Sequence, residues 1–162
     1  MSSTAASMRY FANYLDPKDR YTGTYYDPKM NEYLGDALSQ AYDLAGKGAG
    51  EAEILTAISP LVNKANVYQQ KAKMYSDGKK QFLDSLKQQK GYNTANLGKY
   101  MDEVAFDGQN IDDVDPTDIL GFANKAFQKY GSQITTDEAI NDYIRVSGIS
   151  NLFNDAFQLI TG

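Results

Sequence analysis

The chain has 162 residues, a formal net charge of −5, 13 tyrosines, and neither cysteine nor histidine. That composition removes disulfides, thiolate nucleophiles and sulfur-ligated metal centres, and the absence of histidine removes Ser-His and Cys-His catalytic constellations and the commonest general base near neutral pH. Leu, Ile, Val and Phe together make up about a fifth of the chain, close to the level below which a chain stops supporting a dry core. Tyrosine fills the gap. A phenol buries an apolar ring while its hydroxyl seeks a partner, so this composition favours half-wet surfaces between molecules.

The first 26 residues show no helical periodicity. Tyr10, Phe11, Tyr14, Tyr21, Tyr25 and Tyr26 stand among polar and turn-forming residues, and a Tyr-x-Asp-Pro-Lys element is written twice, at 14–18 and 25–29. The segment is too aromatic for a solvated tail and too short to make a core. It is predicted to be an extended interaction arm, with those six aromatic residues as its interface, docking on its own body or on another subunit. The opening MSSTAASMRYF lacks the charged and apolar regions of a secretory signal. With no run of about 18 apolar residues to span a bilayer, the expectation is a soluble protein made in a cytoplasm.

Asp27-Pro28 reads as a helix start, with Asp27 as N-cap and Pro28 in the first turn. Met30, Leu34, Ala37, Ala41 and Leu44 then fall on one face, and the glycines of AGKGAG supply a stop, which predicts a helix over 28–45. Ile54, Ile58, Leu61, Ala65, Tyr68, Ala72, Tyr75, Lys79, Phe82 and Leu86 follow an alternating four-three spacing, a coiled-coil-like seam with Lys79 alone out of character. The predicted helix runs from 51 to about 89, with Pro60 marking a kink or a break near Ser59. It should pair with the preceding helix as a long hairpin.

Shorter helices follow. Residues 94–106 place Leu97, Tyr100, Met101 and Val104 on one side, Asp115-Pro116 opens a helix that Gly131 stops, and Thr135 with Glu138 forms a capping-box pattern ahead of another that ends at Gly148. Ser150 then caps a last helix. FANKAFQ at 122–128 and LFNDAFQ at 152–158 share Asn, Ala, Phe and Gln in register, which two amphipathic helices of similar composition explain. Strand signals are nearly absent, so the fold class is all-α: an arm over 1–26, a helical hairpin over 27–92 and a small helical bundle over 93–162.

Charge is laid out in blocks. Residues 64–99 carry eight lysines against Asp77 and Asp84, and residues 100–124 carry seven acids and no base. Such blocks suit contacts between copies or internal neutralisation between the long helix and the acidic segment after it. Lys71, Lys79, Lys80 and Lys87 are candidates for phosphate contact with nucleic acid. The acidic total and the absence of arginine in this stretch favour instead a solvated, ion-paired helix face. The loop DGQNIDDVDPTD fails as a calcium-binding EF-hand, with Asp112 where glycine is needed and Asp118 where a bidentate glutamate belongs. It reads as a polar linker whose Asp115 caps the next helix. No carboxylate pair or phosphate-binding loop stands out, so neither catalytic residues, metal ligands nor a cofactor are assigned, and the chain is expected not to be an enzyme.

The Tyr-, Asn-, Asp- and Lys-rich helices, the run YYDPKMNEYLGDALSQAYDLAGKGAGEAEILTAISPLVNKANVYQQKAKMYSDGKKQFLDSLKQQKGYNTANLGKYMDEVAFDG, and the lack of Cys and His give the chain a texture over residues 25–131 that resembles virion proteins of tailed bacteriophages, the crAss-like group in particular. The resemblance implies a structural protein in the virion, present in many copies in a symmetric assembly beside portal, tail or ring proteins, or carried as packaged cargo. It assigns no functional residue. The alternative is a nucleic-acid-associated packaging or ejection protein acting through the lysine-rich helix.

Overall fold

In the computed structural model, residues 24–136 are described. The arm up to residue 23, the helices expected after residue 136 and the second copy of the Asn-Ala-Phe-Gln pattern lie outside the described residues. Four α-helices occur among the described residues: α1, Asp27–Gly46; α2, Glu51–Lys87; α3, Thr94–Phe106; and α4, Ile119–Ile134. No described helix is long and apolar enough to cross a membrane. The chain divides into two compact units, Met1–Lys73 and Met74–Gly162. The division falls within α2 and not near residue 92, because Tyr75 packs its ring on Phe106 and Phe122 of the second unit.

In the first unit, a turn ahead of α1 sets the helix start. Thr24 Oγ1 accepts from the Tyr26 N–H at 3.2 Å and donates to Asp27 Oδ1 at 3.1 Å. Asp27, expected as the N-cap, is therefore the first helical residue, and Tyr26 takes the cap position without a side-chain cap bond. The carboxylate still lies at the positive end of the helix. At the other end Gly48 adopts φ +86°, and the N–H groups of Gly48 and Ala49 donate back to Ala45 O and Leu44 O. These bonds satisfy terminal carbonyls and turn the chain into α2, as the glycine run predicts. Ala37 and Ala41 of α1 then meet Ile54, Ile58 and Val62 of α2, with Leu34, Leu38, Leu44, Leu55 and Leu61 partly buried around them.

α2 is one continuous helix through Pro60, so the expected break at Ser59 does not occur. Pro60 and Thr56 are both exposed, which leaves the Thr56 carbonyl that loses its donor near water. Burial of Ile58 and Val62 on either side holds the helix together. Along α2 the predicted face is buried at Ile54, Ile58, Ala65, Tyr68, Ala72, Tyr75, Phe82 and Leu86. Around Pro60 the buried position is Val62, and Leu61 is only half-buried. Two successive four-residue steps, Ile54 to Ile58 to Val62, rotate the stripe, and the step of three to Ala65 brings it back.

In the second unit, α3 occupies the predicted 94–106. Asn93 Oδ1 accepts from the Asn96 N–H at 3.0 Å as its N-cap, and Leu97, Met101, Ala105 and Phe106 are buried. A short 3-10 turn, Ile111–Asp113, follows. Two boundary expectations for α4 are corrected. Asp115 does not open it, because its carboxylate accepts from the backbone N–H and hydroxyl of Thr117 at 3.0 and 2.6 Å. Asp118 is the cap instead, accepting from the Gly121 N–H at 3.2 Å. Gly131 does not end the helix; Tyr130 departs from helical geometry at φ −129°, ψ 24°, and the helix resumes to Ile134.

Beyond α4, the Thr135 hydroxyl donates back to Gly131 O at 3.0 Å, and Glu138, its expected capping-box partner, lies outside the described residues. The segment around Tyr92 lies antiparallel to that around Thr135, with the Asn93 N–H donating to Ile134 O and the Thr136 N–H to Gly91 O at 2.8 Å. Among the described residues this isolated bridge is the sole β-type pairing, and the architecture is all-α.

Candidate functional site

The predicted interface falls at the root of the arm. Tyr10, Phe11, Tyr14 and Tyr21 lie outside the described residues. Tyr25 is 45% exposed, while its neighbour Tyr26 is wholly buried. The Tyr26 ring lies tilted against Tyr68 at a centroid distance of 6.3 Å, and Tyr68 stacks on Tyr33 at 6.0 Å with the planes 13° apart. Tyr26, expected in an interface with its own body or another subunit, packs on its own body as a core residue, because the helix-entry turn swings it onto Tyr68. Lys64 Nζ lies 5.5 Å over the Tyr33 ring and Lys71 Nζ lies 5.6 Å over Tyr68, contacts worth about 0.5–1 kcal/mol each at exposed sites.

The lysines proposed for phosphate contact have local partners. Lys71 is half-buried against Tyr68. Lys79 bridges both carboxylate oxygens of Asp102 at 2.9 and 3.0 Å, and the Tyr75 hydroxyl donates to the same Oδ1. Lys80 pairs with Asp84 at 2.7 Å, and Lys87 reaches the other oxygen of Asp84 at 3.8 Å. The hydrogen bond and charge of Asp84 raise the Lys80 pKa, and the bond from Lys80 holds Asp84 below the usual carboxylate range. Between residues 79 and 87 the lysines of α2 are therefore ion-paired, two of them sharing Asp84.

No family model, curated protein or solved structure matches this chain.

The acids of the loop after α3 act on the backbone: Asp115 closes a turn with Thr117, whose hydroxyl and then backbone N–H hold its pKa down, and Asp118 caps α4. Among the described residues no three acidic side chains gather at ligand spacing. Beside this loop a shallow, open depression of about 510 Å³ is lined by Glu103, Val104, Asp107, Gln109, Lys125 and Lys129.

Two arrangements in the second unit escaped the sequence reading. One is the partner of Lys79: a lysine on an otherwise apolar face calls for a carboxylate, and the acid-rich block from 100 to 124 supplied candidates without marking Asp102. The other is a stacked pair, Tyr100 and Tyr130, with ring centroids 3.9 Å apart and planes 14° apart. Helical spacing places Tyr100 on one side of α3 with Leu97 and Met101 and does not mark Tyr130 as its partner. The signal was a repeated Lys-Tyr dipeptide, since Lys99 and Lys129 each lie over the ring of the tyrosine that follows, at 5.7 and 5.2 Å.

Proposed function

We propose that this chain is a non-enzymatic assembly protein: a virion component of a tailed bacteriophage that joins portal, tail or ring proteins in many copies, or travels as packaged cargo, through its tyrosine-rich N-terminal arm. The observation that carries this reading is the contrast at the arm's root. Tyr26 is sequestered on Tyr68 while Tyr25, one residue earlier, is 45% exposed. An anchored Tyr26 fixes the point at which the aromatic segment 10–25 joins the helical body. Aromatic rings on an anchored segment lose less freedom on docking than rings on a free tail.

The alternative, a packaging or ejection protein that binds nucleic acid through α2, is weakened by the pairing of Lys79 with Asp102 and of Lys80 and Lys87 with Asp84. Each cation already opposed by a carboxylate releases fewer counterions from a phosphate backbone.

The test is a deletion that stops short of the helix-entry turn. Removing residues 1–23 leaves Thr24, Tyr26 and Asp27 in place, so the helical circular dichroism signal should persist. Sedimentation should then report multimers for the full chain and monomers for the shortened one. Equal association of the two would sink the arm, and steeply salt-dependent DNA binding by both would favour the alternative. The virion setting is tested separately, by whether peptides of this chain are found in purified tailed particles.

A further inference from the structure

The geometry points to Tyr100 and Tyr130 as a site of oxidative coupling, a pair of phenols positioned to be joined into a dityrosine cross-link that staples α3 to α4. The rings are stacked at 3.9 Å with planes 14° apart, and both residues are half-exposed. Ring carbons of one residue therefore face those of the other at near van der Waals distance, from two helices and thirty positions apart in sequence. Such placement turns a bimolecular encounter between radicals into an intramolecular one, where effective concentrations far exceed those of free partners.

The surrounding groups suit the chemistry. Tyr100 is oriented by a hydrogen bond from its hydroxyl to Gln133 Oε1. The Glu103 carboxylate lies beside the Tyr130 hydroxyl and pushes its pKa up, so a proton acceptor is at hand when that phenol loses an electron. Tyr130 also sits where α4 leaves helical geometry. With no cysteine in the chain, a biaryl bond is a covalent closure open to it where a disulfide is not.

The step balances with a named oxidant, a peroxide acting through a haem peroxidase. Each phenol loses one electron and one proton to become a phenoxyl radical. The two radicals join through ring carbons ortho to the oxygens, and the two hydrogens on those carbons return as protons to the oxygens, restoring both phenols. The two electrons and two protons removed overall reduce one hydrogen peroxide to two waters. The product is lighter than the starting chain by two hydrogens.

The experiment treats the dilute full chain with a haem peroxidase and hydrogen peroxide, then maps it by trypsin and mass spectrometry. Cleavage after Lys99 and Lys129 starts one peptide at Tyr100 and another at Tyr130, so the staple appears as these two joined with two hydrogens lost, and fragmentation must place the bond at Tyr130 and not at Tyr143, which the second peptide also carries. It should exceed any other intramolecular tyrosine pair at least about tenfold. Tyr33 and Tyr68, parallel but 6.0 Å apart with Tyr68 buried, are the internal control. Tyr100→Phe and Tyr130→Phe, which keep both rings, should each abolish the joined peptide. The inference is overturned if dityrosine forms elsewhere while this peptide is missing, or if the folded chain gives none under conditions that couple its urea-unfolded form.

Discussion

Lys79 and Asp102 form the one two-point ion pair between helices in the described part of the second unit, with the Lys79 ammonium 2.9 and 3.0 Å from the two carboxylate oxygens and the Tyr75 hydroxyl on the first of them. Their side chains are 24% and 31% exposed, so the pair is screened less than a surface bridge. Asp102→Asn leaves the ammonium without its counter-charge and should cost about 1–2 kcal/mol in urea unfolding. Replacing both partners, Lys79→Met with Asp102→Asn, should cost less than Asp102→Asn alone, since the amide still accepts from Tyr75 and no ammonium is left without a counter-charge. If the double variant is the less stable of the two, the pair contributes more than this reasoning allows.

Gly35 and Gly98 make opposite predictions for the same substitution. Gly35 lies inside α1 with nothing within 4 Å of an added Cβ, so Gly35→Ala should stabilise the chain by about 0.5–1 kcal/mol. At Gly98 the new Cβ would meet Leu83 at 3.0 Å and the Lys79 side chain at 3.2 Å. Gly98→Ala should lose that helix gain by displacing the lysine from Asp102. Thermal unfolding of the two variants checks the contrast, and an equal rise in both contradicts it.

Neighbouring tyrosines at the arm's root should separate folding from assembly. Tyr26 has no exposed surface, so Tyr26→Ala should cost about 3–5 kcal/mol by opening the Tyr26–Tyr68 contact. Tyr25→Ala, at a ring 45% exposed, should cost much less stability than Tyr26→Ala and weaken association. An equal fall in stability for the two variants would place both rings in the core.

Asp115 should titrate below an ordinary aspartate. The Thr117 hydroxyl, and then its backbone N–H, hold the carboxyl below its ordinary value. A lowered folded pKa contributes stability above the unfolded pKa, about 3.9 for aspartate, and loses it as pH falls through the folded one. Thr117→Val removes the hydroxyl, so the Asp115 titration midpoint, read by NMR, should rise toward the ordinary value. An unchanged midpoint would mean that the backbone bond suffices.

Periodicity and glycine chemistry carried most of the fold that was legible in the sequence. α3 lies where its spacing put it, and α1 and α2 differ by one or two residues at their ends. What failed was local competition. Asp115 engages Thr117, leaving the helix start to Asp118, while burial on either side of Pro60 overrode its tendency to break α2. Of the candidate site, the aromatic root was legible but the fate of each ring was not, because Tyr25 and Tyr26 differ only in which way the turn at Thr24 points them. The Lys79–Asp102 and Tyr100–Tyr130 pairs join residues far apart in sequence, where no periodic signal reaches.

We propose that this chain associates through aromatic rings ahead of α1. The most direct measurement is the sedimentation profile of the full-length chain with Tyr10, Phe11, Tyr14, Tyr21 and Tyr25 all changed to serine, beside the unaltered protein at equal concentration. Association through the arm should give multimers for the unaltered chain and a monomer with the same helical content for the variant. Identical profiles for the two would contradict it.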